Sequence, residues 1–349
     1  MWFEQVAGGK PAQVWISRPA TALLVVTLAA CSASAPTPAP SPSAGATPSS
    51  PTGSPPSSAT SAVPPPAAGA MTTSAQAEHA AVAPAVLIGA GDIASCDSTG
   101  DTGTLALLQR FPGTVFTLGD NAYPDGSRTN FARCYGPTWG RVKARTRPVV
   151  GNHEYHSTGA RPYFDYFGAA AGPRGRGYYS YEAGAWHVVV LNTVCSAVPG
   201  GCAKGSPQER WLRADLAKSS AACTVAMVHH PLFTSAATHP PATETRPLVQ
   251  ALYDAGVELL MAGHNHVYER FAPQTPAGRR DDARGIREIV AGTGGAERYP
   301  FGRTAANSER RNNTTYGVVR LTLRPGWFRW DFLPVRGGSF TDTGTGRCH

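Results

Sequence analysis

The sequence predicts an α/β fold with a mixed β-sheet core, beginning near residue 84. Three observations carry this. Short runs rich in Val, Leu and Ile recur between residues 86 and 261, each of a length suited to a buried strand. Segments with helix-start signals stand between them. The last third keeps the strand pattern and loses the helices.

The elements follow in order. Residues 86–90, 114–118, 148–150, 187–191, 223–228 and 257–261 read as strands. Ser206 opens a helix as its N-cap, with Pro207 in the first turn and Glu209 closing a capping box. A second helix covers 244–255 and stops at Gly256. Residues 286–291, 316–323 and 327–333 read as an antiparallel meander, so an α/β half precedes a β-rich half.

Composition needs to be read by region. Only 15% of the 349 residues are charged, yet no Asp, Glu, Lys or Arg occurs between Arg18 and Glu78. The average mixes a charge-free stretch with an ordinarily charged domain. One apolar run, residues 20–30, follows Lys10 and Arg18, and it is too short to span a bilayer. It ends Leu28-Ala29-Ala30-Cys31, which matches a bacterial lipobox. Residues 1–30 are therefore expected to be a lipoprotein signal peptide, with Cys31 as the lipidated residue and a lipid anchor as the only membrane contact. Residues 32–70 hold 11 Pro among Ser, Ala, Thr and Gly with one Val, a composition that cannot bury a core. Residues 31–83 are expected to be a disordered tether, and 84–349 the folded domain. This places the domain at the outer face of a bacterial membrane or in its wall.

The formal charge is +8, but only four of the 31 basic residues are Lys, as in chains from GC-rich genomes. The densest pairs, Arg279–Arg280 and Arg310–Arg311, lack an aromatic ladder. No nucleic-acid-binding surface is identified. With Cys31 set aside, six cysteines remain, an even number that suits disulfides in an exported chain. Cys195 and Cys202 enclose a short Pro-Gly-Gly loop and are expected to pair. Cys96 and Cys134, each just beyond a strand end, are candidates for a second pair. Cys223 and Cys348 are left by elimination only. No Cys-x-x-Cys spacing supports a cysteine metal site.

Five strands end in short polar residues that offer oxygen or nitrogen. These are Asp92, Asp120-Asn121, Asn152-His153, His229-His230 and His264-Asn265-His266. Ligands of open α/β sheets bind at the carboxyl ends of strands. Each motif alone is commonly a turn or cap; together, in this order, they point to a metal site. His264 and His266 would face the same way on an extended segment.

The order Gly91-Asp92, Gly119-Asp120-Asn121-Ala122-Tyr123, Gly151-Asn152-His153-Glu154, His229-His230-Pro231 and Gly263-His264-Asn265-His266 resembles the calcineurin-like metallophosphoesterases, over roughly residues 86–333. Two details resemble the purple acid phosphatase branch. Ala94 stands where the general family has a ligating His, and Tyr123 stands three residues after Asp120, where that branch places a ligating Tyr. The resemblance implies a four-layer αββα sandwich. It implies Asp92, Asp120, Tyr123 and His266 around a first metal, and Asp120, Asn152, His229 and His264 around a second. It implies His153 as a substrate-facing proton donor and, more loosely, His239 as another. His230 falls at the variable position of a His-x-Pro motif.

Phenolate and carboxylates suit Fe(III) at the first position, and imidazoles with an amide oxygen suit Fe(II), Zn or Mn at the second. Two such metals clamp a phosphate ester and acidify water. The implied activity is hydrolysis of phosphate esters, phosphomonoesters foremost. The alternatives are a phosphodiester, nucleotide or phospholipid-headgroup substrate at the same site, or an inactive surface binding module. The larger plant relatives carry an N-terminal β-sandwich that has no counterpart here, so a shorter form is expected. Residues 274–285 and 296–313 are expected to form loops at the site rim.

Overall fold

The computed structural model describes residues 83–349; the signal peptide, Cys31 and the tether expected before them lie outside it. Strands β1 (Ala85–Ala90), β2 (Thr114–Thr117) and β3 (Thr146–Arg147) run parallel. Strands β4 (Tyr179–Ala183), β5 (Trp186–Val190), β6 (Cys223–Met227), β7 (Leu259–Ala262), β8 (Tyr268–Phe271), β9 (Arg287–Ala291) and β10 (Ser308–Asn312) follow. They form a second sheet in the order β10-β8-β9-β7-β6-β5-β4. The chain then returns through β11 (Gly317–Arg324), β12 (Trp327–Pro334) and β13 (Asp342–Arg347), completing the first sheet as β13-β12-β11-β1-β2-β3.

The two sheets pack face to face, and each carries helices on its outer side. Strand β1 shows how: Leu87 enters the core between the sheets, while Ile88 and Ala90 enter the outer core. Helices α1 (Gly100–Arg110) and α2 (Arg161–Phe167) close that outer core with Leu105, Leu108, Tyr163 and Phe164. On the second sheet, Val188 and Val190 of β5 face inward. Val189 faces outward to Leu212 of α3 (Pro207–Lys218) and Leu248 and Leu252 of α4 (Arg246–Asp254). The central strands β5, β6, β7 and β9 are covered on both faces, which is why they read as continuous apolar runs. This is the four-layer αββα sandwich. Among the described residues no helix is long and apolar enough to cross a membrane.

The structure corrects several sequence expectations. The meander is divided: β11, β12 and β13 form it in the first sheet, whereas residues 286–291 supply β9, parallel to β7 in the second. An apolar run buried on both faces fits either sheet, so its composition does not choose. Residues 148–150 leave the ladder, because β3 ends at Arg147 before Pro148, which has no N–H to pair. Strand β13 is not among the expected strands; its Gly344 and Gly346 are strand positions where a Cβ would strike the rings of Trp330 and Phe328. At α3, Ser206 Oγ accepts the Glu209 N–H at 3.2 Å, but the Glu209 carboxylate accepts from Gly205, not from Ser206. Disulfides join Cys96 to Cys134, Cys195 to Cys202, and Cys223 to Cys348. Cys223–Cys348 ties β6 to the segment after β13, and so the second sheet to the first.

Candidate metal centre

The site forms where β1, β2, β6 and β7 end. Of the five non-glycine residues with positive φ among the described residues, three are Asp92 (59°), Asp120 (47°) and His264 (67°). Such backbone is costly for residues with a Cβ and is retained where surrounding structure enforces it. Here it turns each side chain off its strand into one space. The neighbouring glycines allow the approach: a Cβ on Gly151 would strike the Asp120 carboxylate, and one on Gly119 the His229 ring.

Tyr123 Oη lies 3.0 Å from Asp92 Oδ1, 3.1 Å from Asp120 Oδ2 and 3.0 Å from His266 Nε2. His229 Nε2 lies 2.9 Å from Asn152 Oδ1 and 3.3 Å from Asp120 Oδ2. The two groups therefore share Asp120. The His264 ring lies 5.0 Å from that of His229, and the His239 ring stacks on His264 at 4.3 Å. His153 donates its backbone N–H to Asp120 Oδ1 at 2.9 Å, and its Nε2 lies 3.8 Å from Asp120 Oδ2. All seven expected ligands and both expected substrate-facing histidines are thus brought together. His230, at the variable position, also turns inward: its donor lies within 4.8 Å of those of His229 and His264.

Hydrogen bonding fixes the tautomers. His229 Nδ1 faces the Leu118 carbonyl at 2.7 Å, and His266 Nδ1 faces the Glu297 carbonyl. A carbonyl only accepts, so both Nδ1 atoms carry protons and the neutral rings aim bare Nε2 lone pairs inward. His229 Nε2 meets other acceptors there, Asn152 Oδ1 and Asp120 Oδ2. His266 Nε2 meets the Tyr123 hydroxyl, whose single proton must serve it, Asp92 Oδ1 and Asp120 Oδ2. Asp92 Oδ2 is buried with no hydrogen-bond partner. Acceptors facing acceptors in a buried space call for a cation or a proton. Burial opposes charge on His229, yet Asp120 and Asp92 raise it to about 9, so without a metal a proton occupies this position. Burial also opposes charge on Asp120, but the His229 and His153 rings hold its carboxyl well below the usual range. Burial, followed by the Asp120 and Asp92 carboxylates, pushes the Tyr123 phenol well above its ordinary value. The donor set fits two cations sharing Asp120, with hard oxygen donors on the Tyr123 side and imidazoles on the other.

Some expectations change in their reasons. His264 and His266 do not converge through an extended segment. Two successive tight turns, Asn265 N–H to the Gly263 carbonyl and Val267 N–H to the Asn265 carbonyl, each 2.7 Å, aim the rings. Asn121 is structural: its Nδ2 donates to the Val149 carbonyl at 3.0 Å. Loop 274–285 packs on α4, where Asp281 accepts from the Tyr253 hydroxyl at 2.7 Å. Of residues 296–313, expected to be a loop, the part that carries Tyr299 reaches the centre, whereas Ser308–Asn312 form strand β10 against β8.

Three supporting residues carry no mark in the sequence. The buried Glu154 carboxylate accepts the N–H groups of Asn121 and Gly151 at 2.7 Å and of Asp120 at 3.1 Å, tying two ligand loops together. Thr193 Oγ1 accepts the N–H groups of His229 at 3.2 Å and His230 at 2.9 Å. Tyr299 stacks flat on His266 at 3.9 Å. Only Glu154 stood within a motif, and there its side-chain target was not readable. The Cys223, Glu258 and Cys348 group also has metal-like spacing, but its sulfurs are joined in a disulfide.

Comparison with known proteins agrees with this geometry. The family model "Calcineurin-like phosphoesterase" matches residues 88–268. Purple acid phosphatase 23 of Arabidopsis thaliana is 28% identical over 47% of this chain and 43% of its own length. Purple acid phosphatase 21 of the same plant is 28% identical over 66% of this chain and 56% of its own. The chain thus spans about half the length of the curated relatives it matches. A purple acid phosphatase from yellow lupin (Lupinus luteus) seeds shares the fold, with a TM-score of 0.62 at 20% identity, over 76% of this chain and 54% of the lupin chain. The GAP50 anchor of the Plasmodium inner membrane complex shares it too, at 0.58 and 13%, over 76% and 90%. The chain belongs to the calcineurin-like phosphoesterase family and is similar to its purple acid phosphatase branch.

Proposed function

We propose that this protein hydrolyses phosphate esters, phosphomonoesters foremost, at a centre of two metals. Asp92, Asp120, Tyr123 and His266 would hold Fe(III), and Asp120, Asn152, His229 and His264 would hold Fe(II), Zn or Mn. The observation that carries the reading is the convergence of acceptors on Asp120, with a phenol among them. When bound, the metals supply positive charge to the phosphoryl oxygens and acidify water for attack.

The chain's own residues do the rest. Asp120 Oδ1 accepts the His153 N–H at 2.9 Å, which fixes the proton donor's backbone beside the shared carboxylate. His153 Nδ1 lies 2.5 Å from the Pro124 carbonyl and carries a proton there. Its Nε2 is the atom left to face the ester. In the imidazolium form, Nε2–H passes its proton to the departing oxygen as the P–O bond breaks, and the ring is left neutral. His239, stacked on His264, is the second substrate-facing donor.

The proposal includes export and anchoring through a lipid on Cys31, with the tether carrying the domain off the membrane. Three disulfides within residues 83–349 support an oxidising location. The test is elemental analysis with phosphate release from p-nitrophenyl phosphate and its bis-aryl diester. Two metals per chain, one of them iron, and faster monoester cleavage are expected. Faster diester cleavage would move the substrate to the diester class. Full metal occupancy without any release would make the protein a binding module.

A further inference from the structure

Tyr299 is neither among the seven ligands nor one of the two substrate-facing histidines, yet its ring is part of the wall of the centre. It stacks on His266 with ring centroids 3.9 Å apart and planes 10° from parallel, and it meets His239 edge-on at 5.4 Å. His239 in turn stacks on His264. Two loops therefore form one aromatic wall over the two ligand histidines of the Gly263–His266 turn. The loops are braced to each other: Ala237 N–H donates to the Pro300 carbonyl at 2.9 Å, and Gly302 N–H to the Ser235 carbonyl at 2.8 Å. The Tyr299 backbone is held as well. Its N–H donates to the His266 carbonyl at 3.3 Å, and its own carbonyl accepts from Asn313 Nδ2 at 2.9 Å.

The ring is half-buried, and its hydroxyl makes no hydrogen bond to any described residue. Packing alone does not need that hydroxyl; phenylalanine would stack on His266 as well. A tyrosine presents an apolar body and one polar handle, and the handle usually finds a partner. The ligand side of the centre is filled with acceptors, so an anion bound above it needs donors from the wall.

We infer that Tyr299 is a substrate-binding residue, whose hydroxyl donates a hydrogen bond to a phosphoryl oxygen while His153 serves the departing oxygen. This rests on the phosphate-ester reading above. The test uses the full chain loaded with iron and zinc, as wild type, Tyr299→Phe and Tyr299→Leu. Inorganic phosphate is titrated by calorimetry, with p-nitrophenyl phosphate kinetics and metal content measured alongside. Tyr299→Phe should keep its metals and melting temperature, bind phosphate about tenfold more weakly, as for one lost hydrogen bond to a charged group, and raise KM more than it lowers kcat. Tyr299→Leu should lose metal affinity as well, since it removes the stack on His266. Unchanged phosphate binding in Tyr299→Phe, or metal loss equal to that of Tyr299→Leu, would overturn the inference. If the wild type binds phosphate and cleaves no ester, the hydrolase reading fails, while the Phe comparison still decides the role of Tyr299.

Discussion

Two groups of buried carboxylates in this molecule follow opposite plans. On β13, Asp342 accepts from the Tyr268 hydroxyl at 2.7 Å, Arg270 Nε at 2.6 Å and Nη2 at 3.2 Å, and Trp330 Nε1 at 3.3 Å. Burial opposes its charge, but Arg270 and Tyr268 hold the carboxyl below its ordinary value. Arg270 and Arg287 also lie over the Trp330 ring, at 5.1 and 5.0 Å. At the strand ends, Asp92 and Asp120 meet a phenol and lone pairs, and Asp92 Oδ2 has no partner. The first group contains its own cation and joins the two sheets. The second is paired with imidazoles and a phenol instead of a guanidinium, and Asp92 and Asp120 stand in left-handed backbone conformations. The residue type is the same; the neighbours decide whether it fastens the fold or awaits a ligand.

The contrast can be tested by removing one partner at a time. Asp342→Ala leaves Arg270 with Glu309 as its remaining carboxylate partner and the buried Tyr268 hydroxyl without its acceptor, and should cost about 1–3 kcal/mol in denaturant unfolding, with metal content per folded chain unchanged. A cost below 1 kcal/mol would mean that the clamp is surface-like. Glu154→Gln should do the reverse. The amide places donors against N–H groups, loosens the Asp120 and Asn152 loops, and should lower metal affinity about 10- to 100-fold, as for partners that orient ligands. Competition with a chelator measures this; unchanged affinity would leave Glu154 a purely structural clamp.

The smallest effect concerns a third buried carboxyl. Glu288 accepts the Leu232 N–H at 2.9 Å, and burial pushes it from 4.5 to about 8. Its folded value lies above its unfolded one, so the stability it contributes is full below pH 4.5 and is lost as pH rises through about 8. Glu288→Gln should remove that part of the slope and gain about 1–2 kcal/mol at pH 8 relative to wild type. Parallel stability profiles from pH 5 to 8 would contradict it.

Most candidate ligands were legible as local events: Asp92, Asp120, Asn152 and His264 each follow a glycine, and His229 directly follows an apolar run, whereas Tyr123 was legible only through the family resemblance. The wall was not. Tyr299 reaches His266 across 33 positions of chain through a loop without periodicity, held there by long-range backbone bonds to His266 and by the braces to Ser235 and Ala237. Glu154 sits beside His153 in sequence, yet its carboxylate serves backbone groups of another loop. The assignment of strands to sheets was hidden for a similar reason. Strands β9 and β11 are both largely buried apolar runs, and only their partners distinguish them. Strand β13 was hidden by its glycines, whose value lies in what they leave room for, the rings of Phe328 and Trp330.

The central claim is that Tyr123 is a metal ligand, not a buried phenol bonded to two carboxylates. The most direct measurement is the visible spectrum of the iron-loaded chain, wild type against Tyr123→Phe, at matched iron content. A pink to purple wild type, coloured by phenolate-to-iron charge transfer, and a Tyr123→Phe variant without that band are expected. A colourless wild type with stoichiometric ferric iron, or a band that survives in Tyr123→Phe, would contradict it.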